Sequence, residues 1–338
     1  MTSRSNKEWY FGVVIIATDP PNEFVRTVQM VEALGFDYIW VADSSLHARD
    51  AYAYLTLCAQ HTRTAKIGIS VTNPFTRHPA VIANAIATID EISGGRTILG
   101  VGTGDCPQQE LGFRPARVKE MQEWITLVRQ LFSGEPVSYS GDHWQLNNAV
   151  LNCGWRREIP IQVAASGPRM LELTGSMADG GIVRVGMAPE AIDYAFRHLA
   201  IGAEKVGRTV EEMDIGFLVN CCLYRDRARA LREARLDTAW YLQTAPKIAQ
   251  IAGVPEDTIQ SVQARYAGGH LNEAHAAASS VPDELAQRFV LAGTSEEARE
   301  FVRHIGERGV RRFEIFAIGP DWREIVRNFG EQVIPAFR

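Results

Sequence analysis

Short apolar runs alternate along this chain with longer amphipathic stretches. Phe11–Ile16 is such a run and predicts a buried strand. Pro20 and Pro21 break it, and Glu23–Leu34 reads as an amphipathic helix closed by Gly35. Tyr38–Ala42 predicts a second strand, ending at Asp43, followed by a helix over about Ala51–Arg63. Lys66–Val71 is the third strand, Pro79–Ile92 the next helix and Thr97–Gly102 the fourth strand. The cadence then loosens: Arg117–Phe132 is helical, and Ser133–Glu158 is a loop-rich excursion. Ile159–Ala165 and Gly180–Val185 predict a fifth and a sixth strand, with helices over Arg169–Met177 and Pro189–Val206. Ile215–Tyr224 is the seventh strand, Arg312–Ile318 the eighth, and Trp322–Gln332 the last helix. Between the last two strands, Arg225–Arg303 holds a long, largely helical, Ala-rich insertion. Strands alternating with helices in this way predict an α/β fold, a (β/α)8 TIM barrel rather than an open doubly wound sheet. The expectation is a single domain over 1–338, with the core of the insertion at about 244–280.

Composition narrows the class. With 338 residues, 46% hydrophobic and 22% charged, the chain can bury a sizeable core without staples. The net charge of -5 comes with no basic block and no acidic tail, so neither nucleic acid nor a membrane surface is an expected partner. Met1–Glu8 is polar and short, no run approaches the length of a membrane span, and a cytoplasmic enzyme is the expectation. The cysteines show no CxxC spacing and read as thiols. Neither a metal motif such as HExxH nor a GxSxG nucleophile elbow is present.

Candidate chemistry gathers at strand ends. Val71-Thr72-Asn73-Pro74-Phe75-Thr76-Arg77-His78-Pro79 follows the third strand; Ser93-Gly94-Gly95-Arg96 precedes the fourth, and Gly100-Val101-Gly102-Thr103-Gly104-Asp105 ends it. A helix between two parallel strands puts both loops on one edge of the sheet, and small residues there let a backbone approach a ligand. The GxGxGD run is not the dinucleotide fingerprint GxGxxG; it gains meaning from Asp105 lying beside Asn73 at the barrel mouth. Asp43 offers a carboxylate that accepts a proton, or alternatively caps the next helix. Ser166-Gly167-Pro168-Arg169 makes an anion site at a helix N-terminus, or a plain cap at Ser166 with Pro168 in the first turn. His47 and His78 are donors to a substrate or local loop residues. Phe75, Trp144, Trp155 and Trp240 line an apolar pocket or pack in the core.

The segments Val71–Ala80, Ala85–Arg96 and Leu99–Asp105 resemble the bacterial luciferase-like superfamily. Ile159–Ile161, Ala165–Leu171, Ala178–Gly180, Ala292–Thr294 and Ile318–Asp321 resemble its F420-dependent methylene-tetrahydromethanopterin reductases, so the likeness spans nearly the whole chain. The resemblance implies a barrel holding a deazaflavin or flavin at its C-terminal mouth, across the ends of the third and fourth strands. It implies a non-prolyl cis peptide at Ser70–Val71, and cofactor contacts from Ser70, Val71, Thr72, Asn73, Gly102, Thr103, Gly104 and Asp105. The cofactor phosphate would be held by Ala165, Ser166, Gly167, Pro168 and Arg169, with Arg184 after the sixth strand also facing it. Asp43 takes the position of an acidic or His catalytic residue, with His47 and His78 nearby; Ser44–Arg49, which would border the substrate, departs from the reductase pattern.

The function expected from this resemblance is an F420-dependent oxidoreductase transferring a hydride to or from a small organic substrate. The alternative is an FMN-dependent monooxygenase using O2 and reduced flavin supplied by a partner reductase. A catalytically silent flavin-binding scaffold is a third class, against which the polar strand-end loops argue. A homodimer or higher homo-oligomer is expected, with the insertion serving as a lid or as a subunit contact.

Overall fold

The computed structural model describes residues 8–104, 106–156, 158–266 and 274–338. The strands are β1 (Tyr10–Ile15), β2 (Tyr38–Val41), β3 (Lys66–Thr72), β4 (Thr97–Val101), β5 (Val137–Ser140), β6 (Gln145–Ala149), β7 (Ile161–Ala165), β8 (Gly180–Val183), β9 (Asp214–Leu223), β10 (Val290–Gly293) and β11 (Arg312–Ala317). The helices are α1 (Pro21–Ala33), α2 (Ala51–His61), α3 (Pro79–Ser93), α4 (Cys106–Glu110), α5 (Val118–Phe132), α6 (Pro168–Met177) and α7 (Pro189–Glu204). After β9 come α8 (Arg227–Thr244), α9 (Pro246–Ile251), α10 (Glu256–Arg265), α11 (His275–Ala278), α12 (Asp283–Ala286), α13 (Ser295–Gly306) and α14 (Trp322–Gln332).

Parallel pairing runs β11-β1-β2-β3-β4-β7-β8, and β9 joins β8 to β11, so the sheet closes on itself as a (β/α)8 barrel. Two expectations need correction. The excursion after α5 is not merely loop, because β5 and β6 pair as an antiparallel hairpin. The insertion is not purely helical, because β10 pairs in parallel with Asn220–Leu223, the part of β9 that extends past β8. Val290-Leu291-Ala292-Gly293 is a fully buried four-residue run, too short for periodicity to tell strand from helix.

Strand residues alternate between two cores. Phe11, Val13, Ile39, Ile67, Leu99 and Val163 pack outward against the helices, while Val14, Trp40, Ile98 and Ile182 fill the barrel with Val71, Leu218 and Phe316. The floor is ionic. Arg312 and Glu314, successive inward positions of β11, are both buried and pair at 2.8 Å. Arg312 also meets Asp214 at 2.6 Å and donates to Gln162 at 2.7 Å, and the Trp40 indole donates to Glu314 at 2.7 Å. This plug fills the N-terminal end of the barrel, and the strand-end loops gather at its C-terminal mouth.

Ser93-Gly94-Gly95-Arg96 is explained by the helix ends it serves. The Arg96 guanidinium donates to the carbonyls of Ala59, Thr62 and Ser93, at the C-terminal ends of α2 and α3, and to that of Ala65 just before β3. One residue thereby fixes two helices against β3 and β4.

Candidate active site

The mouth is shaped first by β3 and β4. Their register slips by one residue between Ile69 and Thr72, so Ser70 and Val71 bulge toward the barrel axis, and the Ser70–Val71 peptide is cis. The glycines of β4 answer this bulge. A β-carbon on Gly100 would lie 2.0 Å from the Ile69 carbonyl oxygen, and one on Gly102 would lie 2.7 Å from Val71 Cγ2. Close approach is thus the reason for glycine, as the sequence suggested, but the approaching backbone is that of β3. Asn73 is also turned inward on the protein: its Oδ1 accepts from Phe75 N and Thr76 N, each at 3.0 Å, and shapes its own loop. Gly104 has φ +94, and a β-carbon there would run into the Gln108 side chain. Thr103 is half-buried beside it, with its carbonyl accepting from Ala116 N at 2.7 Å. Asp105 lies outside the described residues.

Asp43 sits just past β2, half-buried, and is not a helix cap. Asp50 takes that role for α2, accepting from Tyr52 N and Ala53 N at 3.1 and 3.0 Å. Asp43 Oδ2 instead accepts from Thr72 Oγ1 at 2.8 Å, and Thr72 Oγ1 accepts from the Tyr52 hydroxyl at 2.9 Å. Thr72 is fully buried, so its side chain serves this chain of hydroxyls instead of facing a ligand. Burial raises the Asp43 carboxyl above the ordinary aspartate value, against the hydrogen bonds from Thr72 and Ser45 and the charge of Arg77. A carboxyl raised in this way at the mouth holds its proton more readily than an ordinary aspartate and is suited to acid–base exchange.

The two histidines part company. His47 is half-exposed and pairs with Glu110 at 2.8 Å, tying the β2 loop to α4 at the mouth. His78 is the N-cap of α3, its Nδ1 accepting from Ala80 N at 3.1 Å ahead of Pro79. Of the two readings of His78, this geometry supports the local one, and its Nδ1 is taken up by the helix instead of being offered to a substrate.

On the opposite side, the cap of α6 is Gly167, not Ser166, with Pro168 at the first helical position. No side chain caps this helix, and a β-carbon on Gly167 would meet open space. The backbone N–H groups of a ten-residue helix therefore point at a space that an anion can enter. Arg169 is exposed in the first turn, Ala165 is buried behind it, and Arg184 follows β8 with its backbone N–H on the Ala165 carbonyl at 3.1 Å.

Sequence reasoning expected helix here and named Trp240, but missed the face of α8 that carries it. Trp240 and Tyr241 hold the Arg184 guanidinium, whose centre lies 4.7 and 5.2 Å from their ring centroids. One turn earlier Asp237 is buried and accepts from Asn220 at 2.6 Å; burial raises its carboxyl above the usual range. Asp237, Trp240 and Tyr241 stand at i, i+3 and i+4, one face of a helix, and a lone acid on an apolar face was the available signal. The segment expected as a lid, about 244–280, stands behind this wall: α9, α10 and α11 pack on α8, and residues 267–273, with Gly268-Gly269, lie outside the described residues. Trp144 and Trp155 pack in the core.

Comparison with known proteins agrees with this fold. The luciferase-like monooxygenase family model matches residues 6–312. The 5,10-methylenetetrahydromethanopterin reductase of Archaeoglobus fulgidus is 32% identical over 310 residues, covering 89% of this chain and 91% of its own. The F420-dependent glucose-6-phosphate dehydrogenase of Amycolatopsis mediterranei is 30% identical over 294 residues, covering 82% and 83%. The solved structure of the coenzyme F420-dependent tetrahydromethanopterin reductase of Methanopyrus kandleri superposes with a TM-score of 0.87 at 26% identity, covering 98% of this chain and 100% of that one. No helix among the described residues is long and apolar enough to cross a membrane.

Proposed function

The chain belongs to the luciferase-like monooxygenase family and is an enzyme of its F420-dependent oxidoreductases, and from that premise we propose that it binds F420 at the barrel mouth and exchanges a hydride between that cofactor and a small organic substrate. The observation that carries the proposal is a mouth with two distinct ends: an uncapped helix N-terminus with open space at Gly167, and a bulged β3 beside a carboxylate. When bound, F420 supplies a deazaflavin ring that gives or takes a hydride at its central carbon. The N–H groups of α6, with Ser166, Arg169 and Arg184, hold the phosphate. Ser70 and Val71 support the ring from below, and Gly102 leaves room for that support. Asp43 gives or accepts the proton that accompanies hydride transfer at a substrate oxygen or nitrogen.

The rim points to a substrate with an apolar body. Ile16, Leu46, Leu111 and Phe113 are exposed on the loops after β1, β2 and β4, and Phe113 stacks on Phe75 with centroids 6.1 Å apart. The same reading takes the enzyme to be cytoplasmic and homo-oligomeric. Titration of the purified protein with F420 and with FMN, followed by absorbance, tests the cofactor. Saturable binding of F420 with FMN left free is the expected result. Tight FMN binding coupled to oxygen consumption would overturn it in favour of oxygenation.

A further inference from the structure

We propose that Tyr52 and Thr72 are positioning residues whose hydroxyls form a one-way hydrogen-bond chain that aims and tunes the Asp43 carboxylate. The proposal deepens, and rests on, the acid–base role given to Asp43 above. Thr72 has a single hydroxyl proton. Its oxygen accepts the Tyr52 proton at 2.9 Å, so its own proton goes to Asp43 Oδ2 at 2.8 Å. The order of donors is fixed by the end of the chain: a phenol donates, a carboxylate accepts.

The surroundings keep that order. Tyr52 is 5% exposed and Thr72 0%, so water does not compete for either hydroxyl. Burial raises the Tyr52 phenol well above its usual range, which keeps the donor protonated. The Arg77 guanidinium covers the Tyr52 ring, 4.1 Å from its centroid, and is ion-paired with Asp50. Arg77, from the β3 loop, favours the Asp43 carboxylate, Asp50, at the start of α2, opposes it, and the Ser45 hydroxyl adds a bond from the β2 loop. Among the described residues the Tyr52 hydroxyl has no hydrogen-bond partner other than Thr72, so the chain ends inside the protein. It is therefore no conduit to solvent, and the proton that Asp43 gains or loses is exchanged on the mouth side.

Hydrogen bonds to the charged form of an acid lower its pKa, so cutting the chain must raise that of Asp43. The test is the carboxyl 13C resonance of Asp43 followed against pH, assigned by its loss in Asp43→Asn. Thr72→Val is expected to raise the midpoint by about one unit and Tyr52→Phe by about half a unit, each with an otherwise native spectrum. Thr72→Ser restores the hydroxyl and is expected to restore the midpoint. A midpoint unmoved in both Tyr52→Phe and Thr72→Val overturns the chain, whatever Asp43 does in turnover. A midpoint that rises as expected while Asp43→Asn leaves turnover intact shows the chain to be present but overturns its catalytic purpose.

Discussion

Arg184 lies against Trp240, a residue more than fifty positions later in the chain, and has no carboxylate within ion-pair distance among the described residues. A guanidinium held flat by aromatic rings keeps its N–H edge available for a ligand's oxygens.

If that ligand is the cofactor phosphate, Arg184→Ala should weaken F420 binding tenfold or more, about 1.4 kcal/mol, and Arg184→Lys by less. Trp240→Ala removes only the support, worth about 0.5–1 kcal/mol, and should weaken binding about two- to fivefold. Equilibrium titration with F420 measures all three. Unchanged affinity in Arg184→Ala would move this residue from the cofactor to the substrate.

Gly167→Val, alone or with Ser166→Ala, should weaken F420 binding by about 1–3 kcal/mol while leaving the thermal midpoint nearly unchanged. The added side chain enters open space, so the fold has nothing to lose there. A large drop in the midpoint, or no change in affinity, would each count against phosphate binding at α6.

Asp43→Asn should lower turnover at least a hundredfold while changing F420 affinity little, because the loss is of a proton acceptor and not of the phosphate site. Turnover is read with glucose 6-phosphate and with methylene-tetrahydromethanopterin as probes, on whichever the wild type accepts. Parallel losses of turnover and affinity would make Asp43 a structural residue. In the wild type the acid limb of the pH profile should fall above the ordinary aspartate range, because burial raises the carboxyl.

Glu314 yields a prediction about stability. Burial pushes its carboxyl up to about 7, against the pull of Arg312. Between about 4.5, its ordinary value, and about 7, the folded protein holds a proton that the unfolded chain has released. Stability must then decline as pH climbs through this window. Glu314→Gln abolishes the titration. Denaturant midpoints across the window should show the wild type losing stability relative to the variant as pH rises, by about 2–3 kcal/mol in all. A constant difference would mean that Arg312 keeps Glu314 ionised throughout.

The barrel was legible because most of its parallel strands are apolar runs with turn chemistry at their ends, as in Tyr38–Val41 before Asp43. β10 was not, because its short apolar run lies between α12 and α13 inside a long, Ala-rich, largely helical insertion. At the mouth, strand ends identified the loops but not the direction of each side chain. Thr72 and Asn73 both looked available to a ligand, yet one is spent on Tyr52 and Asp43 and the other on its own backbone. Of the two readings of Ser166-Gly167-Pro168-Arg169, the plain cap at Ser166 does not hold, because the N-cap is Gly167 and no side chain caps α6. The α8 wall was hidden because the pairing of Arg184 with Trp240 joins elements far apart in sequence.

The contacts of Arg96 bear on the order in which the protein is made. Arg96 binds carbonyls from Ala59 to Ser93, Glu32 binds the amides of Arg63, Thr64 and Ala65, and Asp37 receives the amide of Phe11. All of these partners precede Val101, the end of β4. Once that residue has emerged from the ribosome, the exposed chain carries every partner of these bonds between the first four strands and their helices. The half of the mouth bearing Asp43 and the β3 bulge can then assemble during synthesis, while the half bearing α6, Arg184 and α8 has yet to be translated.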